Sequence, residues 1–281
     1  MTPQAHPRAR PYPTDIHLYW TGLVALVLTY LTIRFVLPRM PDTTLARLFT
    51  AQGGTWVAAL EVLFGIWAAA MLVAKKWKLV VQRRALAADL LPLAAGERIT
   101  PANAIDFAEQ IRLSRHPARG GVLATRISRA LDHFLARGRV EDVTAFLREQ
   151  VDSAAMAADA SYVMVKAFIW AIPILGFIGT VLGIGDAVRG FSASIHATEL
   201  QVAGAAGAEA AGFAMSKVTE SLGIVTSGLA FAFDTTLVAL VMSVFIMIPM
   251  SSLQKNEDDF LLAVEDYCRE RLLRRLDDGA L

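Results

Sequence analysis

The amino-acid sequence predicts an all-α integral membrane protein with four transmembrane helices, in which the long helices of spans 3 and 4 extend into a helical cytoplasmic domain. One observation is that only four of the 53 Asp, Glu, Lys and Arg residues fall within four long apolar stretches. Each stretch reaches the roughly 20 residues that an α-helix needs to cross about 30 Å of hydrocarbon. A second observation is that the remaining residues carry the charge density of an ordinary solvated protein, without alternating β-branched runs. The four stretches, called spans 1 to 4, are residues 17–37, 55–74, 167–188 and 222–249.

The first part of the chain is predicted to be a cytoplasmic N-terminus, residues 1–16, followed by a transmembrane hairpin of spans 1 and 2, residues 17–74. Span 1 is too long for a secretory signal and carries Arg34 near its end. Arg34 and Glu61 lie at similar predicted depths in adjacent helices, and charges within a membrane are costly unless paired. We therefore expect a structural ion pair between Arg34 and Glu61. The alternative is an ion path through Glu61.

The basic residues predict the orientation of the four spans. The segment 75–165 carries 14 basic and 10 acidic residues, whereas the connection 190–220 has Lys217 against three glutamates. Because cytoplasmic loops are enriched in Lys and Arg, the first segment is placed inside and the connection 190–220 is placed outside as an external loop. Four spans then return both termini to the cytoplasm. The alanine- and glycine-rich composition of the connection is typical of a mobile loop or a short interfacial helix.

Residues 75–166 are predicted to form a helical cytoplasmic domain. Thr100 and Pro101 indicate a helix start, since Thr is a favoured N-cap and Pro is favoured in the first turn. A second helix is expected between Gly121 and Gly138, where apolar residues recur at helical spacing.

Spans 3 and 4 are predicted to continue as helices into the cytoplasm. Between Val140 and Pro173 the chain has neither glycine nor proline, so one long helix is expected to lead into span 3. Span 4 is expected to continue past Pro249 as a charged cytoplasmic C-terminal helix, residues 251–281.

The sequence contains none of the motifs typical of an enzyme, so we expect no enzymatic activity, cofactor or metal site. Cys268 is the only cysteine, which excludes a disulfide within the chain. The five histidines never fall at metal-ligand spacing on one predicted helix, and no phosphate-binding loop or nucleophile elbow is present. The basic residues of 112–139 fit a solvated cytoplasmic face better than a surface for acidic partners or lipid head groups, and no nucleic-acid partner is expected.

The predicted channel-forming hairpin, residues 167–250, concentrates small and polar residues in span 3. Gly179 and Gly183 form a small-xxx-small pair that permits close approach of two helix backbones. Gly176 precedes them, and Pro173 leaves a backbone carbonyl without its helical donor, which favours a kink. Thr180 lies near the middle of the membrane.

Span 4 places a carboxylate and two hydroxyls at comparable depth: Asp234, Thr235 and Thr236. A packing role remains open, since threonines can bond carbonyls of their own helix. Two residues are about 200° apart around a helix, so Asp234 points away from the face of Thr236. We expect Asp234, with Thr235, to be either a polar anchor bonded to a hydroxyl or a proton relay.

Together these motifs resemble the MotA/TolQ/ExbB proton-channel family over roughly residues 140–281. The matching residues are Pro173, Gly176, Gly179, Thr180, Val181, Gly183 and Ile184 in span 3, with Thr235, Thr236, Ala239, Leu240 and Pro249 in span 4. The resemblance implies a homopentamer around two copies of a single-span partner of ExbD/TolR/MotB type, in a bacterial inner membrane. It also implies that Thr180 and Thr236 line the ion pathway beside the partner's membrane aspartate.

Two departures from the family pattern bear on this resemblance. Ala239 stands where the family usually has glycine, and Asp234 lies closer to Thr236 than the carboxylate of ExbB- and TolQ-like members. The four-span plan with both ends inside is more similar to MotA. The expected function is therefore a proton-conducting subunit of an ion-gradient-driven motor. The alternative is a non-conducting membrane scaffold that recruits a soluble partner through its cytoplasmic domain.

Overall fold

The structure is a computed structural model that describes residues 18–39, 48–49, 55–87, 98–113, 121–202 and 208–277. Throughout these residues the chain is helical and forms no strand, apart from an isolated bridge between Ile99 and Leu276. The α-helices are α1 Leu18–Leu31, α2 Thr55–Ala87, α3 Ala104–Leu113, α4 Val122–Arg137, α5 Val140–Ala160, α6 Val163–Val202 and α7 Ala208–Tyr267. Short π and 3-10 turns extend α1 as far as Arg39 and extend α7 as far as Arg275.

Four of the described helical stretches are long and apolar enough to cross a membrane, which confirms the prediction of four helices that could span one. They lie within Tyr19–Arg39, Trp56–Arg84, Val140–His196 and Met215–Arg275. Many large apolar side chains on them are exposed, as a hydrocarbon environment permits.

The chain divides into two compact units, and the first of them contains the four apolar spans. This membrane unit comprises residues 18–71 and 164–249. Within it, α1 contacts α2 where Trp67 Nε1 donates a hydrogen bond to Thr21 Oγ1 at 3.1 Å. Helix α2 contacts α6 through stacked rings of Phe64 and Phe168, whose centroids are 4.9 Å apart.

The long helices differ from the prediction at two places. The helix that begins at Val140 ends at Ala160, and a turn at Ser161 and Tyr162 separates it from α6. Helix α6 then runs through Pro173, and α7 continues as a helix through Pro249 as predicted. The connection 190–220, predicted as a loop or a short helix, is helical over 190–202 and 208–220, because α6 and α7 both continue well beyond their apolar segments.

The second unit comprises the described parts of residues 72–163 and 250–281, and α3, α4 and α5 lie within it. Helix α4 ends where predicted, since Gly138 takes the left-handed conformation (φ 69°) and its N–H bonds the Phe134 carbonyl. The start predicted at Thr100-Pro101 is three residues early. These residues form a turn, and Asn103 Oδ1 accepts a hydrogen bond from the Thr100 N–H at 2.8 Å before α3 begins.

Candidate functional site in the membrane helices

Helices α6 and α7 pack antiparallel along a line of small residues, which we call the seam. A Cβ added to Gly176 would lie 2.6 Å from the Ala239 Cβ, and one added to Gly179 would lie 2.8 Å from Thr235 Oγ1. Such distances leave no room for a larger side chain, so the glycines are what permits this close approach. The contacts are those of two antiparallel helices, because each step forward along α6 meets a residue further back along α7. The pairs are Gly176 with Ala239, Gly179 with Thr235, Gly183 with Ala232, and Ala187 with Gly228.

The hydroxyls of Thr180 and Thr236 are hydrogen-bonded to each other across the seam. Each also contacts the Ala232 carbonyl, at 3.0 Å from Thr180 and 3.1 Å from Thr236. Thr180 Oγ1 lies 3.1 Å from the Gly176 carbonyl of its own helix. The structure thus brings together the two threonines that the resemblance assigns to an ion pathway, and both are half-buried.

Thr235 occupies the centre of the seam and is fully buried. Its hydroxyl donates to the Ala232 carbonyl at 2.9 Å, and its side chain fills the space against Gly179. A hydroxyl that is buried and bonded within its own helix is held in place without reaching a pathway. The geometry of Thr235 therefore fits the polar anchor better than the proton relay.

Pro173 has a defined partner across the seam. Since proline has no N–H, the Ile169 carbonyl loses its helical donor. Ser243 of α7 supplies the missing donor, with its Oγ 3.2 Å from the Ile169 oxygen. Ser243 shares the face of Thr236 seven residues earlier, so this polar stripe faces α6 within the chain.

Asp234 is half-buried and forms no hydrogen bond to a hydroxyl among the described residues. The expected bond to a hydroxyl is therefore not made within the described chain, and a bond to a neighbouring subunit stays a prediction. It lies three residues after Phe231 and four before Val238, and both pack in an apolar cluster with Ala58 of α2. The nearest hydroxyls along α7 bond their own and the neighbouring backbone, which leaves none directed at Asp234.

The predicted ion pair of Arg34 and Glu61 does not form. Both Glu61 carboxylate oxygens are buried with no hydrogen-bond partner in the described chain, whereas Arg34 is exposed. The contact of Thr21 with Trp67 sets the antiparallel register of α1 and α2. In that register Arg34 lies beside the start of α2. At a rise of about 1.5 Å per residue, this is about 10 Å along the helix axis from Glu61.

Glu61 instead lies on the side of α2 that meets α7. It is three residues after Ala58, which joins the cluster of Phe231. It is also four residues before Gly65, where an added Cβ would collide with Met242 Sδ. Residues three and four apart share a helix face, so Glu61 is directed toward α7. A carboxyl on this face of α2 does not point toward Arg34, so the two side chains cannot form an ion pair.

Sequence reasoning missed a buried polar cluster in the second unit. It treated Lys75 only as one of several basic residues that orient span 2, but Lys75 is buried against Glu257 and Tyr162. The signal was the spacing, because Lys75 continues the buried face of Leu72 and Leu79.

The described residues contain no group of three or more His, Cys, Asp or Glu side chains that could hold a metal ion. Comparison of the chain with protein-family models, with curated proteins and with solved structures gave no significant match.

Proposed function

We propose that this chain is the proton-conducting channel subunit of an ion-gradient-driven motor complex in a bacterial inner membrane. The observation that carries the proposal is the juxtaposition of Thr180 and Thr236, whose hydroxyls meet across the seam while both side chains remain partly accessible. Together with the motif resemblance, this pair offers a polar spot on otherwise apolar spans. The chain itself would catalyse no chemical reaction.

In this proposal five copies of the chain surround two copies of a single-span partner. A membrane aspartate of the partner takes up a proton from outside, moves past Thr180 and Thr236, and releases the proton toward the cytoplasm. The membrane potential supplies about 2.3 kcal/mol for each charge moved through 100 mV. Both termini, the cytoplasmic domain of residues 75–166 and the C-terminal helix lie in the cytoplasm.

The exposed apolar residues support an assembly of several chains. On α6 they recur at Phe177, Val181, Ile184 and Val188, which is helical spacing along one face. Such a face suits contact with lipid or with a neighbouring subunit. Native mass spectrometry of the detergent-solubilised protein tests the assembly, with five copies of the 30.5 kDa chain expected.

Proton flux tests the proposed pathway. The chain is reconstituted in vesicles with the single-span membrane protein encoded beside its own gene, and flux is followed with an internal pH-sensitive dye. Thr180→Val and Thr236→Val keep the side-chain shape but remove the hydroxyl. Each is expected to lower the partner-dependent flux roughly ten- to a hundredfold, the kinetic equivalent of one lost hydrogen bond to a charged group.

Thr235→Val is the matched control, because Thr235 has the same side chain at the next position but is fully buried. It is expected to retain most of the flux. Unchanged flux in both Thr180→Val and Thr236→Val would contradict the channel. Equal loss in all three variants would instead indicate that the hydroxyls act through packing.

A specific observation also favours the second candidate, a non-conducting membrane scaffold that recruits a soluble partner through its cytoplasmic domain. Every hydroxyl of the seam bonds a carbonyl of this same chain, such as that of Ala232 or Ile169, so packing alone accounts for the pattern. In that case vesicles with the chain and its partner pass no more protons than vesicles with the partner alone.

A further inference from the structure

A cavity in the second unit lies among α4, α5 and the end of α7. Its volume is about 150 Å³ and part of its wall is apolar, formed by Leu147, Val151 and Leu273. A cavity of about this size in another protein holds a benzene molecule. The space is therefore sufficient for a small organic molecule with an apolar body.

Arg126 supplies an unsatisfied charge at this cavity. Its side chain lines the cavity and is only 3% exposed, and its Nη1 has no hydrogen-bond partner within the described chain. A guanidinium stays protonated in proteins, so it cannot relieve burial by losing its charge. Buried polar groups are normally satisfied, and an unpaired buried charge is costly. A negatively charged hydrogen-bond acceptor at Nη1 would therefore satisfy this buried group.

The other charged residues of the wall leave one positive charge over. Arg269 is bonded to Asp266 at 2.6 Å, which leaves Arg126 and Arg148 with Glu265 as the one carboxylate among the wall residues. Burial raises the pKa of the Cys268 thiol to about 12, although nearby Arg126 acts in the opposite sense, so the thiol contributes no negative charge. The wall therefore keeps one positive charge in excess, and Nη1 of Arg126 is a buried donor that lacks an acceptor in the described chain.

We propose that this cavity is a binding site for a small organic monoanion, with its carboxylate on Arg126 and its apolar body against Leu147, Val151 and Leu273. Arg and carboxylate match in geometry and form charge-assisted hydrogen bonds. The site is independent of the proposed channel, because none of its residues belongs to the seam.

Calorimetric titration of the full-length protein in detergent tests the site, with benzoate as the probe. Benzyl alcohol has the same ring without the charge, and acetate has the carboxylate without the ring. Both are expected to bind roughly ten- to a hundredfold more weakly than benzoate, as expected for one charged hydrogen bond or one buried ring. Failure of the wild-type protein to bind benzoate, or equal binding of all three probes, overturns the proposal.

Variants locate the binding. Arg126→Met removes the positive charge of the cavity. It is expected to weaken benzoate binding at least as much as the wild-type protein's binding is weakened when benzyl alcohol replaces benzoate. Arg129→Met, an exposed arginine three residues further along α4, is the matched control and should bind like the wild type. Val151→Trp fills the cavity but leaves Arg126 in place, so it should abolish binding even if Arg126→Met does not fold. Wild-type affinity in Val151→Trp, or in a folded Arg126→Met, overturns the assignment.

Discussion

Lys75 Nζ and Glu257 Oε2 lie 2.7 Å apart, and each side chain is only 3% exposed. The Tyr162 hydroxyl donates to the same Glu257 oxygen at 2.7 Å, and the Lys75 ammonium lies 3.8 Å from the centre of the Tyr162 ring. Three segments of the second unit are thereby joined at one carboxylate: the C-terminal half of α2, the turn before α6 and the last part of α7. A buried ion pair needs such additional contacts to offset the loss of hydration.

Replacing Lys75 with methionine is expected to destabilise the protein by about 3–5 kcal/mol, the usual cost of leaving one partner of a buried pair uncompensated. The free energy of unfolding, measured by denaturant titration in detergent micelles, checks this value. Lys76→Met is the control, because Lys76 is the next residue and is exposed. Equal stability of the two variants would mean that Glu257 is satisfied without Lys75.

Replacing Tyr162 with phenylalanine removes one hydrogen bond to a carboxylate and is expected to cost about 1.5–3 kcal/mol. Burial raises the pKa of Tyr162 above its usual value, and the hydrogen bond and charge of Glu257 raise it further. The folded chain therefore keeps this hydroxyl protonated where an unfolded tyrosine ionises, near pH ~10. Stability should fall as the pH rises above this value.

The pH dependence separates Tyr162 from general alkaline unfolding. Between pH 9 and pH 11, in steps that bracket the tyrosine pKa of about 10, the melting temperature of the wild type should fall more steeply than that of Tyr162→Phe. Parallel curves for the two proteins would show that Tyr162 titrates as an exposed tyrosine does.

Replacing Gly176 with alanine should separate α6 from α7. The added Cβ would meet the Ala239 Cβ at 2.6 Å and the Thr236 Cα at 3.2 Å, and a backbone atom cannot rotate away. A loss of about 1–3 kcal/mol is expected, as for other overpacked sites. Gly223→Ala in α7 is the control, since no other part of the described chain comes within 4 Å of its added Cβ. That change should be neutral or stabilise the helix by up to about 1 kcal/mol.

Replacing Glu61 with leucine is expected to stabilise the chain by about 1–3 kcal/mol, because a buried carboxyl without a partner is lost. Arg34→Leu should change little, and the two effects should add within about 0.5 kcal/mol because the side chains do not interact. A double-mutant cycle of the unfolding free energies measures this directly. A coupling energy well above that limit would show that Arg34 and Glu61 do form an ion pair. Loss of proton flux in a stable Glu61→Leu variant would instead indicate an ion path through Glu61.

The sequence was sufficient for features that depend on local pattern. The length of the apolar stretches predicted the four spans. The glycine at Gly138 predicted the end of α4, and in the structure it takes the left-handed conformation. The motif resemblance singled out Thr180 and Thr236, and the freed carbonyl at Pro173 followed from the chemistry of proline. Each of these depends on a residue and its immediate neighbours along the helix.

Features that depend on the register between helices could not be predicted in the same way. Depth counted from the span ends placed Arg34 beside Glu61, but the contact of Thr21 with Trp67 sets a different alignment. The burial of Lys75 depends on Glu257, which is 182 residues away in sequence. The cavity at Arg126 depends on three helices meeting, which no local pattern reports. Hydropathy likewise locates the apolar part of a helix but not the residue at which the helix ends, and α6 and α7 both continue beyond their apolar parts.

The seam joins residues whose separation along the chain grows steadily with distance from the α6–α7 connection. Ser194 and Ser221 meet nearest that connection, Thr180 and Thr236 meet further along, and Ser243 reaches Ile169 last. Each contact closes only a small additional loop once the preceding one has formed, so little chain entropy is lost per step. The hairpin can therefore close progressively from its tip as α7 enters the membrane during synthesis. In this order of assembly, Ser243 repairs the carbonyl freed by Pro173 as the final step.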